Sequence, residues 1–438
     1  MPMFDGRTTR VHGPAGRICT RQWVADEARA LLARVTRVRP LMQQETMIPA
    51  AAPDMRTQRA IETTLADSRR RLRHDIAELI RWLGAAESRD ASGAEMQRRL
   101  VGVRMQFNDT ISNLDLFIDA LTQRSERDTG LWLAGLEVAA QDVLALPGYY
   151  EPPPLLCYLE RGPGAAIRRA RTRLPGGGSN PIALIQIPRE RMTGTGVAAS
   201  LAHETGHQAA ALLGLVESLR TRMDVAADRS LGGRIWALWQ RWISEIVADL
   251  WALARLGPTA TLGLMGVVSL PKFFVFRVSV NDPHPPPWIR VRLSAALGQQ
   301  LYPDPQWAEM LELWDELYPL EGVPHVRRAV LAALAESAPR LARFLLDHRA
   351  ETLANASLAD ALRTARRDPQ SLTLAARGPG WKRALANAQP SLALAILGQA
   401  RWNRAITPDG EREGVEKLLT TWAMRRAIAG DRAITNPN

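Results

Sequence analysis

Apolar residues recur at helical spacing over most of the chain. Between Met55 and about Leu146 they repeat every three or four positions in two stretches joined by a polar loop, which predicts a helical hairpin or small bundle. The same spacing predicts a short helix at Trp23–Val35, and it continues, with proline interruptions, from Pro188 to about Gly430. The pattern is that of a largely helical protein.

Two short apolar runs stand apart from this helical pattern. Leu155–Glu160 and Ile182–Ile187 lie between Pro-rich and Gly-rich breaks, and runs of this length and composition are typical of buried strands. We therefore expect a mainly α fold with a small β element at residues 155–187.

Breaks in composition divide the chain into four expected parts. These are an extended N-terminal arm at residues 1–54, a helical bundle or hairpin at 55–146, a core with the β element at 147–300, and a C-terminal helical domain at 301–438. At 438 residues the chain is long enough for several domains, each with its own hydrophobic core.

Composition limits the class of protein. Hydrophobic residues make up 46% and charged residues 23%, which is the balance of a soluble folded protein rather than a disordered one. No apolar run reaches the ~18 residues of a transmembrane helix, and the N-terminus lacks the layout of a signal peptide. We therefore expect a cytoplasmic location, with export without a signal left open. Cys19 and Cys157 are too few for a disulfide framework or a multi-cysteine metal site.

The net charge is strongly positive, but the basic residues are scattered. The 56 basic and 45 acidic residues give +11, which raises nucleic acid as a partner. All but three of the basic residues are arginines, a bias that a GC-rich coding sequence produces by itself. Only Arg69–Arg73 is dense, and Asp75 and Glu78 follow it at once, as on a solvated helix face. We therefore do not favour nucleic acid as a partner.

One segment carries a pattern with specific chemistry. His203-Glu204-Thr205-Gly206-His207 is an HExxH motif within an alanine-rich helical stretch. Residues four apart share one helix face, so His203 and His207 can direct two imidazole nitrogens at a single ion. Glu204 projects to the adjoining flank, where a metal-bound water would lie. The alternative is a pair of histidines that make ordinary hydrogen bonds.

A second helical segment offers a third ligand. Glu245 and Asp249 lie one turn apart within residues 234–256, which are otherwise largely apolar. Burial of two unpaired carboxylates is costly, so a metal ion and a ligand histidine are their natural partners. Glu245 then supplies the third zinc ligand, and Asp249 accepts the remaining N–H of a ligand histidine. The alternative is that both acids lie on a solvent-exposed helix face.

With one further feature, these residues resemble a known family. HETGH, then EIVAD around Glu245, then HPPPWIR from His284 to Arg290 are similar to the HExxH, ExxxD and HPxxxxR motifs of the HtpX and CAAX-prenyl-protease-like metalloendopeptidases, which are gluzincins. The resemblance covers about residues 180–300, roughly a quarter of the chain. It implies a zincin-like catalytic core within residues 147–300, flanked by helical domains.

The resemblance also implies roles for individual residues. It implies that zinc is bound by His203, His207 and Glu245, that Glu204 is the general base with Asp249 supporting a ligand histidine, and that His284 and Arg290 lie near the substrate carbonyl. Relatives are commonly membrane-embedded or exported, and this sequence shows neither signal. Membrane substrates and prenylated peptides are therefore not carried over.

The expected function is a zinc-dependent metalloendopeptidase that hydrolyses peptide bonds through a zinc-bound water activated by Glu204. His284 and then Arg290 are the candidate donors to the oxyanion. The strand at Pro181–Pro188, just before the motif, is expected to be the sheet edge along which an extended polypeptide substrate lies.

Two other functions stay open at this point. In one, the chain is a non-catalytic zincin-fold binding or assembly protein whose helical flanks hold a protein partner. In the other, the chain is a nucleic-acid-associated factor, which would need a continuous positive face and salt-sensitive binding.

Overall fold

The computed structural model describes residues 19–37, 47–162, 165–174, 178–189, 194–227 and 233–435. Contacts group the chain into two compact units: a smaller unit within residues 1–42, 62–116 and 174–178, and a larger unit within residues 43–61, 117–173 and 179–438. The four-part division expected from the sequence stays a prediction. Residues 1–18 and 38–46 of the expected N-terminal arm lie outside the described residues.

The smaller unit is helical. It contains α1 (Thr20–Arg37) and most of two long helices, α2 (Met55–Gly84) and α3 (Gly93–Thr122). The helix expected at Trp23–Val35 is α1. The apolar faces of these helices meet in a core formed by residues at helical spacing, among them Val24, Leu31, Ile76, Leu79, Met96 and Leu100.

The larger unit contains the sheet. Three strands, β1 (Leu155–Glu160), β2 (Ala166–Arg168) and β3 (Ala183–Pro188), form it in the order β1-β3-β2. β3 is parallel to β1 and antiparallel to β2. The expectation of a mainly α protein with a small β element is confirmed.

The predicted position of the sheet edge is wrong. The strand expected to form the edge at Pro181–Pro188 is β3, and it is the central strand, with a partner on each side. The sequence prediction missed β2, because a strand of three residues between Gly-rich segments leaves no periodic signal. β2 is therefore one edge of the sheet, and β1 is the other.

Side chains close the outer edge of β1. Gln123 bonds both backbone groups of Leu159: its Oε1 accepts from the N–H at 2.7 Å and its Nε2 donates to the C=O at 2.8 Å. Glu137 accepts from the N–H of Cys157 at 3.0 Å, and Arg124 donates to the C=O of Cys157 at 3.1 Å. These bonds use the backbone groups that another strand would need. No described strand pairs with the outer side of β2, so a strand could be added at that edge.

Helices make up the rest of the larger unit. Three of them build the site: α5 (Thr195–Leu212), α8 (Ile243–Leu256) and α11 (Pro287–Leu301). Gly257, with φ of +58°, ends α8, and Pro258 then begins α9 (Pro258–Val268).

The remaining helices have the following bounds: α4 (Arg127–Leu144), α6 (Leu215–Ala227), α7 (Gly233–Arg241), α10 (Lys272–Val275), α12 (Gln306–Leu317), α13 (His325–Leu346), α14 (Leu358–Leu362), α15 (Pro369–Ala375), α16 (Trp381–Leu385), α17 (Pro390–Trp402) and α18 (Pro408–Thr435). None of the described helices has the length and apolar character needed to cross a membrane.

Candidate metal centre

A glycine within the HExxH motif sets the distance between α5 and α8. A Cβ atom added to Gly206 would lie 2.9 Å from Cα and O of Ala248 and 2.9 Å from Cβ of Trp251. Any larger residue would therefore force the two helices apart. This close approach brings the acids of α8 against the histidines of α5.

Two histidines and one glutamate converge between these helices. The Nε2 atom of His203 lies 3.2 Å from Oε2 of Glu245, and the Nε2 atom of His207 lies 3.6 Å from Oε1. One ligand atom from each of the three residues lies within 4.8 Å of the others. Ligands about 2.0–2.1 Å from a tetrahedral zinc ion are separated by about 3.3 Å, so these spacings fit one ion.

The hydrogen bonding of Glu245 supports a cation at this place. Its side chain is only 12% exposed, and its buried Oε2 accepts no hydrogen bond of acceptable geometry, although the Nε2 atoms of His203 and His284 lie 3.2 and 3.1 Å away. Burial alone would raise the pKa of Glu245, but the three imidazoles around it hold that pKa well below its usual range. The residues present therefore fit a bound metal ion, and the group of His203, His207 and Glu245 could hold one.

Asp249 holds one of these histidines in place. Its Oδ1 lies 2.8 Å from Nδ1 of His203, which leaves Nε2 of that ring directed at the centre. Arg290 grips the same carboxylate through two bonds, Nε to Oδ2 at 2.6 Å and Nη2 to Oδ1 at 2.8 Å. The side chains of Asp249 and Arg290 are each only 12% exposed. Asp249 therefore does not lie on a solvent-exposed helix face, which was the alternative considered from the sequence.

The same contact determines the charge of His203 when no metal is bound. Burial opposes a charge on the imidazole, but the carboxylate of Asp249, with a smaller contribution from that of Glu245, outweighs burial and raises the pKa of His203 to about 9. A metal ion that binds Nε2 must therefore displace a proton at neutral pH.

Glu204 lines a cavity beside the centre. The cavity has a volume of about 380 Å³, and His203, Glu204 and His284 contribute to its wall. Glu204 is 7% exposed, and burial raises the pKa of its carboxyl above the usual value, with the neighbouring imidazoles opposing the shift. A carboxylate with a raised pKa at the wall of a cavity is suited to accept and return a proton.

Comparison of the chain with protein-family models, with curated proteins and with solved structures finds no match.

His284 approaches the centre from the segment before α11. Its Nε2 lies 3.1 Å from Oε2 of Glu245, and its Nδ1 lies 3.1 Å from Oδ1 of Asp282. Asp282 also accepts from the backbone N–H of His284 at 3.0 Å, and Arg277 holds its other oxygen at 2.8 Å. The ring is therefore oriented by Asp282, and at 47% exposed it remains accessible from solvent.

The structure thus brings together all seven residues singled out in the sequence, but it gives Arg290 a different set of contacts from the expected one. The guanidinium is engaged with Asp249 and lies 3.2 Å from Nδ1 of His203. In the structure it is a positioning residue for that histidine. Its expected place beside a substrate carbonyl stays a prediction.

Sequence reasoning missed three residues that support the centre. Asp282 orients His284, and its place two residues before a histidine in a Pro-rich turn was an available signal. Gln208, next to His207, accepts from the N–H of Ala170 at 2.8 Å and so fixes the end of β2 against α5. Glu411 accepts from the N–H of Thr195 at 2.9 Å and caps α5; no local pattern indicates this contact across 216 positions.

Proposed function

We propose that this chain is a zinc-dependent metalloendopeptidase of the gluzincin type, resembling the HtpX and CAAX-prenyl-protease-like family. The observation that carries the proposal is the convergence of His203, His207 and Glu245 on one point, with the carboxylate of Glu204 in the wall of the adjoining cavity. Two imidazoles, one carboxylate and an open side are the donor set of catalytic zinc sites.

Zinc is the metal that these donors favour. Two neutral imidazoles and one carboxylate at tetrahedral spacing suit zinc, whereas magnesium and calcium prefer more ligands, all of them oxygen. The second carboxylate, Asp249, supports the choice, because an imidazole whose Nδ1–H is held by a carboxylate is a more basic ligand through Nε2. When bound, zinc supplies Lewis acidity that polarises a carbonyl and acidifies water to a pKa near about 7.

The chain's own residues then handle the protons and the developing charge. Glu204 accepts the proton of the attacking water and later returns it to the leaving amine, and its raised pKa suits both steps. His284, oriented by Asp282, directs Nε2 towards the centre and is the candidate donor to the oxyanion. Arg290 and Asp249 keep His203 in the tautomer that binds metal.

β2 supplies a path for an extended substrate. Ala165, the residue before β2, lines the cavity together with Glu204. The strand is the open edge of the sheet, and the bond from Ala170 to Gln208 ties its end to α5. A polypeptide that pairs with β2 would therefore pass the cavity wall that carries the general base.

Cleavage of a peptide library by zinc-loaded protein tests the proposal. We expect hydrolysis by the native chain and a loss of at least about 100-fold in kcat for Glu204→Gln, with zinc still bound, because the general base alone is removed. A chain that binds zinc but cleaves no member of the library would contradict the peptidase and favour the non-catalytic binding protein. Equal rates for native protein and Glu204→Gln would show that the hydrolysis comes from a contaminant.

A further inference from the structure

The edge strand lies in a basic stretch of the chain. Between Glu160 and Glu190 there is no acidic residue, and within this stretch the arginines are Arg161, Arg168, Arg169, Arg171, Arg173 and Arg189. A longer stretch without acids occurs at residues 369–408, so the feature that matters here is the position of these arginines on and beside the edge strand.

The arginines on and beside β2 are exposed and carry free charge. Arg168, Arg169, Arg171 and Arg173 are all exposed, and none of them forms an ion pair with a residue that the structure describes. In the dense arginine run of α2, by contrast, Arg70 pairs with Asp67 one turn away. The charge beside β2 is thus available to a ligand.

This charge lies beside the proposed active site. Arg168 ends β2, and Ala165, three residues earlier, lines the cavity with Glu204. The backbone C=O groups of Arg168 and Arg169 accept from Nδ2 of Asn180 at 3.3 and 3.0 Å, which fixes this end of the strand. A substrate in the cavity that continued along β2 would therefore meet the arginines directly.

We propose that β2 and its arginines select polypeptide substrates with an acidic extended segment. The inference rests on the proposed function and adds the substrate class. The backbone of the segment pairs with β2 as an added strand, and its Asp or Glu side chains contact Arg168 and Arg169. An open strand edge offers alternating N–H and C=O groups that a peptide backbone satisfies and a nucleic-acid backbone does not. The edge therefore favours acidic peptide over nucleic acid as the partner.

Binding to a protein that cannot turn over its substrate tests this inference. The probe is a pair of fluorescently labelled ten-residue peptides that differ only in Glu against Gln at four positions, bound to zinc-loaded Glu204→Gln and followed by anisotropy. Two exposed charge contacts of ordinary strength predict binding of the Glu peptide about fivefold tighter at low salt, a preference that 1 M NaCl removes.

Charge-reversal variants identify the residues responsible. Arg168→Glu with Arg169→Glu should abolish or invert the preference, and Arg168→Gln with Arg169→Gln should abolish it if the reversed pair fails to fold. Arg377→Glu with Arg383→Glu is the matched control, because both residues are exposed, lie outside the cavity wall and change the net charge equally. The control variant should keep the native preference for the Glu peptide over the Gln peptide.

Three results would overturn the inference. Equal binding of the two peptides would mean that the arginines only protect the strand edge from aggregation. A preference for the Glu peptide that survives both substitutions at Arg168 and Arg169 would mean that other residues recognise the acidic side chains. Tight binding of an oligothymidylate that those substitutions remove would assign the patch to nucleic acid. By contrast, a preference for the Glu peptide in a chain that cleaves nothing would support this inference and contradict the proposed peptidase.

Discussion

The close contact between α5 and α8 gives a sharp prediction for Gly206→Ala. The new methyl carbon would lie 2.9 Å from Ala248 and Trp251, whereas ordinary contact begins near 3.4 Å. One of the helices must therefore withdraw by about 0.5 Å, the difference between these two distances. Helix α8 carries Glu245 three residues before Ala248, so its withdrawal moves the third ligand away from both histidines.

The size of this shift can be compared with what a metal site tolerates. Ligand distances must hold to about 0.2 Å, so a shift of about 0.5 Å leaves the site strained or one ligand short. We expect zinc affinity to fall by about 10- to 100-fold, the scale seen when a supporting residue of a metal site is lost. Overpacking should also cost about 1–3 kcal/mol of folding stability in the metal-free protein.

Competition with a chelator measures the affinity, and urea unfolding of metal-free protein measures the stability. Gly266→Ala in α9 is the matched control, since a Cβ there meets nothing within 4 Å. The control should bind zinc as the native chain does and be equally or slightly more stable, because alanine favours a helix by about 0.5–1 kcal/mol. Native zinc affinity in Gly206→Ala would refute the argument that this glycine sets the position of Glu245.

Three further outcomes follow from the contacts around α5. Asp249→Asn should weaken zinc binding about 10- to 100-fold in chelator competition, because His203 loses its anionic partner; unchanged affinity would remove Asp249 from the centre. Burial would raise the pKa of Asp249, but Arg290 holds that pKa well below its usual range. The ionised acid therefore stabilises the metal-free protein above pH ~4. This contribution to folding stability is lost as the pH falls through the lowered pKa. Urea unfolding between pH 3 and 6 should therefore show a shallower pH slope for Asp249→Asn, and identical slopes would count against the ion pair. Glu411→Ala should cost about 1 kcal/mol in the same assay through loss of the α5 cap, with Glu411→Gln closer to native; no loss in either variant would dismiss the cap.

The candidate metal-ligand set was accessible from sequence because it depends on helical periodicity alone. His203 and His207 share a face at any helix geometry, and Glu245 and Asp249 share one on a second helix. Because burying two unpaired carboxylates is costly, the helix face with Glu245 and Asp249 is expected to pack against the face with the two histidines. No tertiary information enters these steps, and the structure brings the four residues together.

The sheet shows where such reasoning stops. Leu155–Glu160 was found with its observed bounds, because a buried strand is a continuous apolar run. The order of the strands depends on β2, whose three residues carry no pattern, so β3 was assigned to the edge instead of the centre. The bond between Glu411 and Thr195 joins positions 216 apart, and no local pattern specifies a contact over that separation.

The function of a residue is also harder to predict than its place. Arg290 was expected near a substrate carbonyl, and in the structure it lines the cavity beside the centre. Its bidentate pairing with Asp249 depends on the angle at which α11 meets α8, which the sequence does not specify. The resemblance to the HtpX and CAAX-prenyl-protease-like family remains a prediction carried by the three motifs.

Metal content is the most direct test of the central claim. Native protein and Glu245→Ala are purified without added metal, offered zinc, desalted and measured by mass spectrometry. We expect about one zinc per native chain and a large loss in Glu245→Ala, since two histidines alone make an incomplete site. Native protein that retains no zinc, or a variant that retains as much as the native chain, would contradict this claim.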